Sequence, residues 1–345
     1  MEPYLYSLIK AMPKAELHLH LDGSLLIDTA VDLLAVGGES VSWQDAYKQM
    51  VVEGRLESQR ELLKYFDLPI SLMQSQRSLR RAAYELILLK AADNVKYIEI
   101  RFAPELHTKC GLSAPDVVNA VFEGAKRASE LTGTAFSIIA VFMRGTCAKE
   151  NTALLKAIWK SGASITAVDI AGDESASPDV MEQYAVFETA RDMGLGVTMH
   201  WGEAQADDQR LLSAIEAIRP DRLAHGAPVS ESRALIDAVI KKDIMLDLCP
   251  TSNIQAGLYP SYRHFPLKEL IRAGVSVSVS TDDTVLSDIS LSKEYRNAVE
   301  GCGISIGQMC DINMAAARRS FAPEHIRDRL LESFDKWGRR IDELR

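Results

Sequence analysis

From Val95 onward the chain alternates short apolar runs with amphipathic segments, and no other property narrows its fold as much. The runs are Tyr97–Phe102, Phe136–Met143, Ile165–Ala171, Gly196–His200, Arg222–His225, Ile244–Cys249 and Val275–Thr281. Each is short, apolar and bounded by turn residues, the pattern of a strand buried on both faces. Between them lie stretches with helical periodicity: Pro115–Leu131, Thr152–Ser161, Pro178–Met193, Asp208–Ile218, Glu231–Lys242 and Pro266–Ala273. Ala15–His20 near the start brings the count to eight strands, mostly separated by helices. Eight βα units in succession predict a parallel sheet closed into an α/β barrel, the (β/α)8 TIM barrel. A doubly wound open sheet is the alternative, but no GxGxxG follows the first strand.

A helical insertion, about residues 26–92, separates the first strand from the second. Its first helix, Leu26–Val36, stops at Gly37-Gly38. Residues 41–90 then read as helical throughout, with Leu62, Leu63, Phe66, Leu68, Leu72, Met73 and Leu79 as apolar positions and Pro69 as an interruption or kink. Beside the first strand this insertion is a candidate lid, and packing against the barrel is the plainer alternative. The tail, 290–345, reads as helical, including Asp311–Ser320 and Glu324–Arg339. With no repeat or linker, residues 1–345 are expected to form a single domain.

Composition excludes several function classes. A formal charge of −9 argues against nucleic acid or an anionic membrane surface as partner, and leaves an uncharged nucleoside open. The five cysteines are odd in number and contain no CxxC, so neither a disulfide framework nor a cysteine-rich zinc ribbon is expected. The start carries no basic segment followed by an apolar one, and no apolar run approaches the ~18 residues that span a bilayer. A cytoplasmic, reduced protein is the expectation.

In a (β/α)8 barrel the active site is assembled at the C-terminal ends of the strands. Those ends carry His18-Leu19-His20, Asp169-Ile170-Ala171-Gly172-Asp173-Glu174 and His200-Trp201-Gly202-Glu203. His225-Gly226, Cys249-Pro250-Thr251-Ser252-Asn253 and Thr281-Asp282-Asp283 complete the rim. Four of the seven histidines fall there, whereas His107, His264 and His325 fall in loops or helices. Alternate side chains of a strand share a face, so His18 and His20 point the same way and can reach one metal ion at about 2.0–2.1 Å. A lone HxH is as easily an accident of alternation; the clustering on one rim favours a site. Three imidazoles and a carboxylate suit zinc better than magnesium or calcium, and leave room for a water whose pKa zinc lowers towards neutrality. Glu203, three residues after His200, is placed either to hand a proton to a substrate nitrogen or to orient a ligand.

Taken in order, His18-Leu-His-Leu-Asp-Gly-Ser, Asp-Ile-Ala-Gly172-Asp-Glu, His200-Trp-Gly-Glu203-Ala, Arg-Leu-Ala-His225-Gly, Cys-Pro-Thr-Ser-Asn253 and Ser-Thr-Asp282-Asp283 resemble the adenosine deaminase family of the amidohydrolase superfamily. Tyr97-Ile-Glu-Ile-Arg101-Phe-Ala-Pro104 and Asn313…Ser320-Phe321 fit its bacterial members, and the resemblance runs over nearly the whole chain. It implies a metal-dependent hydrolase of purine metabolism that deaminates adenosine or 2′-deoxyadenosine to inosine and ammonia. A zinc-bound hydroxide would add to purine C6, with one Zn²⁺ per chain and no organic cofactor. The resemblance implies zinc ligation by His18, His20, His200 and Asp282, with His20 also touching substrate. It makes His225 the residue that orients or deprotonates the water, and Glu203 the acid at purine N1. Gly172 would offer its N–H to N3, Asp283 would bond N7, Asp22 would meet the ribose 5′-hydroxyl, and Leu62, Leu63 and Phe66 would gate the base.

Some positions depart from the family pattern. Trp201 replaces a small residue and is expected to pack behind its strand, and Ala224 stands where glycine is common. The Asp282–Asp288 segment lacks the commoner Asp-Asp-Pro form. Relatives act on adenine, N6-methyl-AMP or aminodeoxyfutalosine. Asp22 favours a ribose-bearing substrate, and no basic cluster near the motifs is evident to hold a phosphate. A dinuclear barrel hydrolase would want a lysine at the end of the fourth strand, where Gly172-Asp173 stands instead. A barrel that binds purine without turnover would be expected to lack Glu203 or His225, and both are present.

Overall fold

The eight strands lie in sequence order in one sheet: β1 (Lys14–His20), β2 (Val95–Phe102), β3 (Ala135–Met143), β4 (Ala167–Ala171), β5 (Gly196–Trp201), β6 (Arg222–His225), β7 (Met245–Leu248) and β8 (Val277–Val279). The structure is a computed structural model that describes residues 2–177, 179–204 and 207–343. Every consecutive pairing is parallel. The ring closes where Leu19 bridges to Asp282. There the His20 N–H donates to the Asp282 carbonyl at 2.8 Å, and the Asp282 N–H donates to the His18 carbonyl at 3.1 Å. The closing seam therefore sets the HxH segment directly beside Asp282. β7 and β8 are shorter than expected, because Cys249 leaves the ladder to start a helix and Asp282 turns at φ 62°.

Helices cover the outside of the barrel, and the apolar residues of both layers form the main core. The interior is filled differently. Glu99, Arg101, Asp169, Arg222 and Asp247 are all fully buried inside the ring. Arg101 Nη1 lies 2.8 Å from Asp169 Oδ2 and Arg222 Nε lies 2.8 Å from Asp247 Oδ2, while Arg222 also pairs with Glu99. Buried charges persist only when paired, and here each has a partner of opposite sign.

The first helices are α1 (Glu2–Ala11), which the sequence reading did not anticipate, α2 (Ile27–Val36), α3 (Trp43–Met50), α4 (Gln59–Leu62), α5 (Asp67–Leu72) and α6 (Gln76–Ala92). A 3-10 turn, Leu63–Phe66, joins α4 to α5. Residues 41–90 are thus not helical throughout. Between α3 and α4 the backbone is spent on neighbouring loops, with Val52 N–H donating to Leu286 O at 2.8 Å and Leu56 N–H to Gln255 O at 2.7 Å. Pro69 does not break its helix either. It is the third residue of α5, where the N–H has no helical partner to lose. The break falls at Met73–Ser75, where Ser75 caps α6. Of the expected segment Pro178–Met193, Pro178 lies outside the described residues; a 3-10 turn at Val180–Gln183 leads into the helix Tyr184–Asp192. The tail forms three helices, Leu291–Glu300, Ile306–Arg319 and Glu324–Glu343. Asn313 ties it to β1 by donating to Pro13 O at 2.6 Å and accepting from Ala15 N–H at 3.0 Å. Among the described residues no helix is long and apolar enough to cross a membrane.

Candidate metal centre and active site

The seam between β8 and β1 gathers a compact donor set. His18 Nε2 lies 3.2 Å from His20 Nε2 and 3.0 Å from Asp282 Oδ1. His20 Nε2 lies 3.2 Å from His200 Nε2 and 3.3 Å from Asp282 Oδ1. Donors bonded at about 2.05 Å to a tetrahedral ion stand roughly 3.3 Å apart, so these edges fit a single four-coordinate ion. His18, His200, His225 and Asp282 also place donor atoms within 4.8 Å of one another. His225 stands back, with Nε2 3.7 Å from Asp282 Oδ2 and 3.3 Å from Glu203 Oε1. By edge length His20 is the better fourth member, and His225 faces the centre from the side of Glu203.

The protonation states suit ligation. Burial keeps the imidazoles neutral, holding His18 well below its ordinary range and His20 down at about 3, with Asp282 opposing in both. Burial works against ionising Asp282, but the imidazoles around it, His18 foremost, hold its carboxyl well below the usual carboxylate range. Neutral imidazole and ionised carboxylate are the forms that bind metal.

Neighbouring strand ends orient these groups. Asp169 Oδ2, already accepting from Arg101, lies 3.0 Å from His200 Nδ1 and so turns Nε2 of that ring towards the centre. Burial raises the Asp169 carboxyl, yet His200 and Arg101 outweigh it and keep Asp169 ionised. The Asn253 amide lies 3.1 Å from His225 Nδ1 and fixes that ring. His225 and Asp282 both have left-handed backbones, φ 64° and 62°, a strained state for non-glycine residues that the surrounding loops enforce.

Glu203 is presented by a clamped loop. The Glu174 carboxylate accepts N–H bonds from Gly202 at 3.0 Å, Glu203 at 2.7 Å and Ala204 at 2.8 Å. Arg144 lies 3.4 Å from Glu174 and donates to the His200 carbonyl. Burial pushes the Glu203 carboxyl up to about 8, against His200 and with Asp282 and Glu174, so it carries a proton at neutral pH. Asp283 is pushed well above the carboxylate range by burial and then by the charge of Asp282. Its Oδ1 is buried without a hydrogen-bond partner among the described residues.

Two cavities flank α4. One, of about 400 Å³, is lined by His20, Asp22, Leu63, Phe66 and Gly172 among others. The other, of about 470 Å³, reaches Glu203 from the opposite side. Gly172, at φ +117°, directly follows β4, and its carbonyl accepts from Gln59 of α4 at 3.3 Å. Leu62 does not join Leu63 and Phe66 on the cavity wall. Positions three apart in a 3-10 turn share a side, which aligns Leu63 with Phe66. Leu62, at the end of α4, instead packs with Val52, Ala256 and Leu286. Trp201 packs into the main core and lines neither cavity.

Asp169, Glu174 and Arg144 have contacts at the site that the sequence reading did not assign. So does His107, placed outside the rim, whose buried Nε2 lies 2.8 Å from Asp22 Oδ1. The adjacency of β3, β4 and β5 in strand order was the available signal for the first three; nothing in the local sequence marks His107.

Comparison with known proteins adds an independent finding. The family model described as adenosine deaminase matches residues 13–337. An adenosine deaminase of Clostridium botulinum (strain Langeland) is 32% identical over 332 residues, covering 95% of this chain and 98% of the relative. The solved adenine deaminase of Arthrobacter aurescens superposes with a TM-score of 0.88 at 21% identity, covering 95% of this chain and 100% of that one. The N6-methyl-AMP deaminase of Arabidopsis thaliana superposes with a TM-score of 0.83 at 25% identity, covering 96% and 98%.

Proposed function

Because the chain belongs to the adenosine deaminase family of carbon–nitrogen hydrolases, we propose that it converts adenosine or 2′-deoxyadenosine and water to inosine and ammonia, with zinc as its metal. The observation that carries this reading is the buried Glu203 carboxyl, whose pKa burial raises, set beside three imidazoles and the Asp282 carboxylate. Adding oxygen to purine C6 breaks the ring's aromaticity, so N1 must gain a proton as the new bond forms. Glu203 holds that proton at neutral pH.

Zinc held by His18, His20, His200 and Asp282 would supply an activated water at neutral pH. Neutral His225, steadied by Asn253, faces the same point and is placed to accept a proton from that water. Purine N7 only accepts, and a protonated Asp283 is a donor matched to it. The Gly172 N–H serves N3, and Asp22 accepts from the ribose 5′-hydroxyl. Leu63 and Phe66 cover the base and exclude water. Among the described residues the cavity is lined by Asp22, Asp67 and Asp173 and by no lysine or arginine, which supports a nucleoside over a nucleotide.

The test is amine release by the zinc-loaded protein, as ammonia from adenosine, 2′-deoxyadenosine and adenine and as methylamine from N6-methyl-AMP, measured in parallel. The two nucleosides are the expected substrates. Release from adenine alone would overturn the ribose assignment and keep the chemistry, and release from N6-methyl-AMP alone would overturn the reading of the lining.

A further inference from the structure

His107 ends the 3-10 turn Pro104–His107 that follows β2, and it is fully buried. Its Nδ1 lies 3.0 Å from the Met73 carbonyl. A carbonyl oxygen only accepts, so that nitrogen carries a hydrogen. The other nitrogen, Nε2, lies 2.8 Å from Asp22 Oδ1 in a close contact rather than an aligned hydrogen bond. Neither of these two atoms has another hydrogen-bond partner among the described residues. The ring is thus wedged between a main-chain carbonyl, to which Nδ1 donates, and the Asp22 carboxyl, and a proton between Nε2 and Oδ1, carried by either partner, would tie Asp22 to the ring.

The turn that carries the ring is itself pinned. Gln74 Nε2 donates to Leu106 O at 2.8 Å, and Gln74 Oε1 accepts from Lys109 N–H at 3.0 Å. These bonds fasten the turn to the chain leaving α5, which places Asp67 and Ile70 on the wall of the same cavity as Asp22. An aspartate facing a cavity with both oxygens free can rotate about χ2 and present either oxygen or neither. With Oδ1 packed against His107 Nε2, Oδ2 is the oxygen left to the cavity.

We infer that His107 is a positioning residue for the sugar end of the substrate, aiming Asp22 at the 5′-hydroxyl and so setting the preference for a nucleoside with that group. The inference rests on the reading of Asp22 given above. It assigns the discrimination to a pair, one member of which never touches substrate.

The experiment measures kcat and KM for adenosine and 5′-deoxyadenosine in the parent, Asp22→Ala, His107→Gln and His107→Leu proteins. Inhibition constants of inosine and 5′-deoxyinosine give the same comparison without turnover. The parent is expected to prefer the 5′-hydroxyl by about tenfold or more, the worth of a hydrogen bond to a charged group. Asp22→Ala abolishes that preference. His107→Leu lowers it by roughly threefold or more, chiefly through KM, and His107→Gln, which keeps an N–H donor, retains part of it. The inference is overturned if both His107 proteins keep the full preference while Asp22→Ala loses it. Equal losses on both substrates would also overturn it, since they would mark a role in folding alone. A parent indifferent to the 5′-hydroxyl would remove the ribose reading of Asp22, and the inference would fall with it.

Discussion

At Gly23 a single added carbon meets the candidate site directly. A Cβ there would lie 1.9 Å from Asp283 Oδ1, with two more Asp283 atoms within 2.6 Å. Gly23→Ala is therefore expected to cost about 1–3 kcal/mol by overpacking and to displace Asp283, lowering both the thermal midpoint and kcat/KM. At Glu203 the expected loss is chemical. Glu203→Gln removes the proton donor and leaves the metal-binding set intact, so turnover falls by about 10²–10⁴-fold while metal content per chain stays level. Retained turnover in a metal-replete variant would sink that role. The acid form of Glu203 is the working form, and its folded pKa is raised to about 8. On the alkaline side activity then falls as Glu203 deprotonates. A pH–rate profile reads that alkaline limb directly. The residues of the centre were legible because HxH on a strand forces two rings to one side. His107 was not, because its partners Asp22 and Met73 come from distant parts of the chain and its own neighbours, Leu106 and Thr108, form no pattern.

The loops behave as coupled elements. Residues 202–204, directly after β5, have no regular structure to satisfy their N–H groups, and Glu174 from the loop after β4 accepts all three in succession. Glu174→Ala strips that acceptor. It is expected to lower kcat more than it raises KM, since the loop positions Glu203, and to cost about 1–3 kcal/mol from the N–H groups left unpaired. Steady-state kinetics and a denaturant titration measure the two effects. The strands were legible as short apolar runs between turn residues. The insertion was less so. Apolar spacing suggested one helical stretch over 41–90, but backbone bonds from Val52 to the loop after β8 and from Leu56 to the end of the helix Pro250–Gln255 win over local propensity. Sequence periodicity does not report such long-range pairing. The face of Leu62 was lost the same way, since the change from α-helix to 3-10 turn occurs within a few residues.

Across the whole molecule, the order of eight strands followed from alternation, and the barrel's charged interior did not. Glu99, Arg101, Arg222 and Asp247 alternate with apolar neighbours on strands buried on both faces, so nothing local distinguishes an ion-paired interior from a surface-facing edge. Metal removal acts at this scale, because the donors come from β1, β5 and the segment after β8. Chelation is expected to lower the thermal midpoint, with an excess of zinc restoring it; a metal that binds only the native state stabilises by about 2.7 kcal/mol at a hundredfold excess over its dissociation constant. Scanning calorimetry with and without chelator measures the shift. The seam that closes the ring has a bearing on how the protein is made. His18 and His20 leave the ribosome first, His200 follows, and Asp282 is translated only after all three. A nascent chain therefore offers the metal imidazoles before it offers the carboxylate, and the four-donor centre cannot assemble until the segment after β8 has been made.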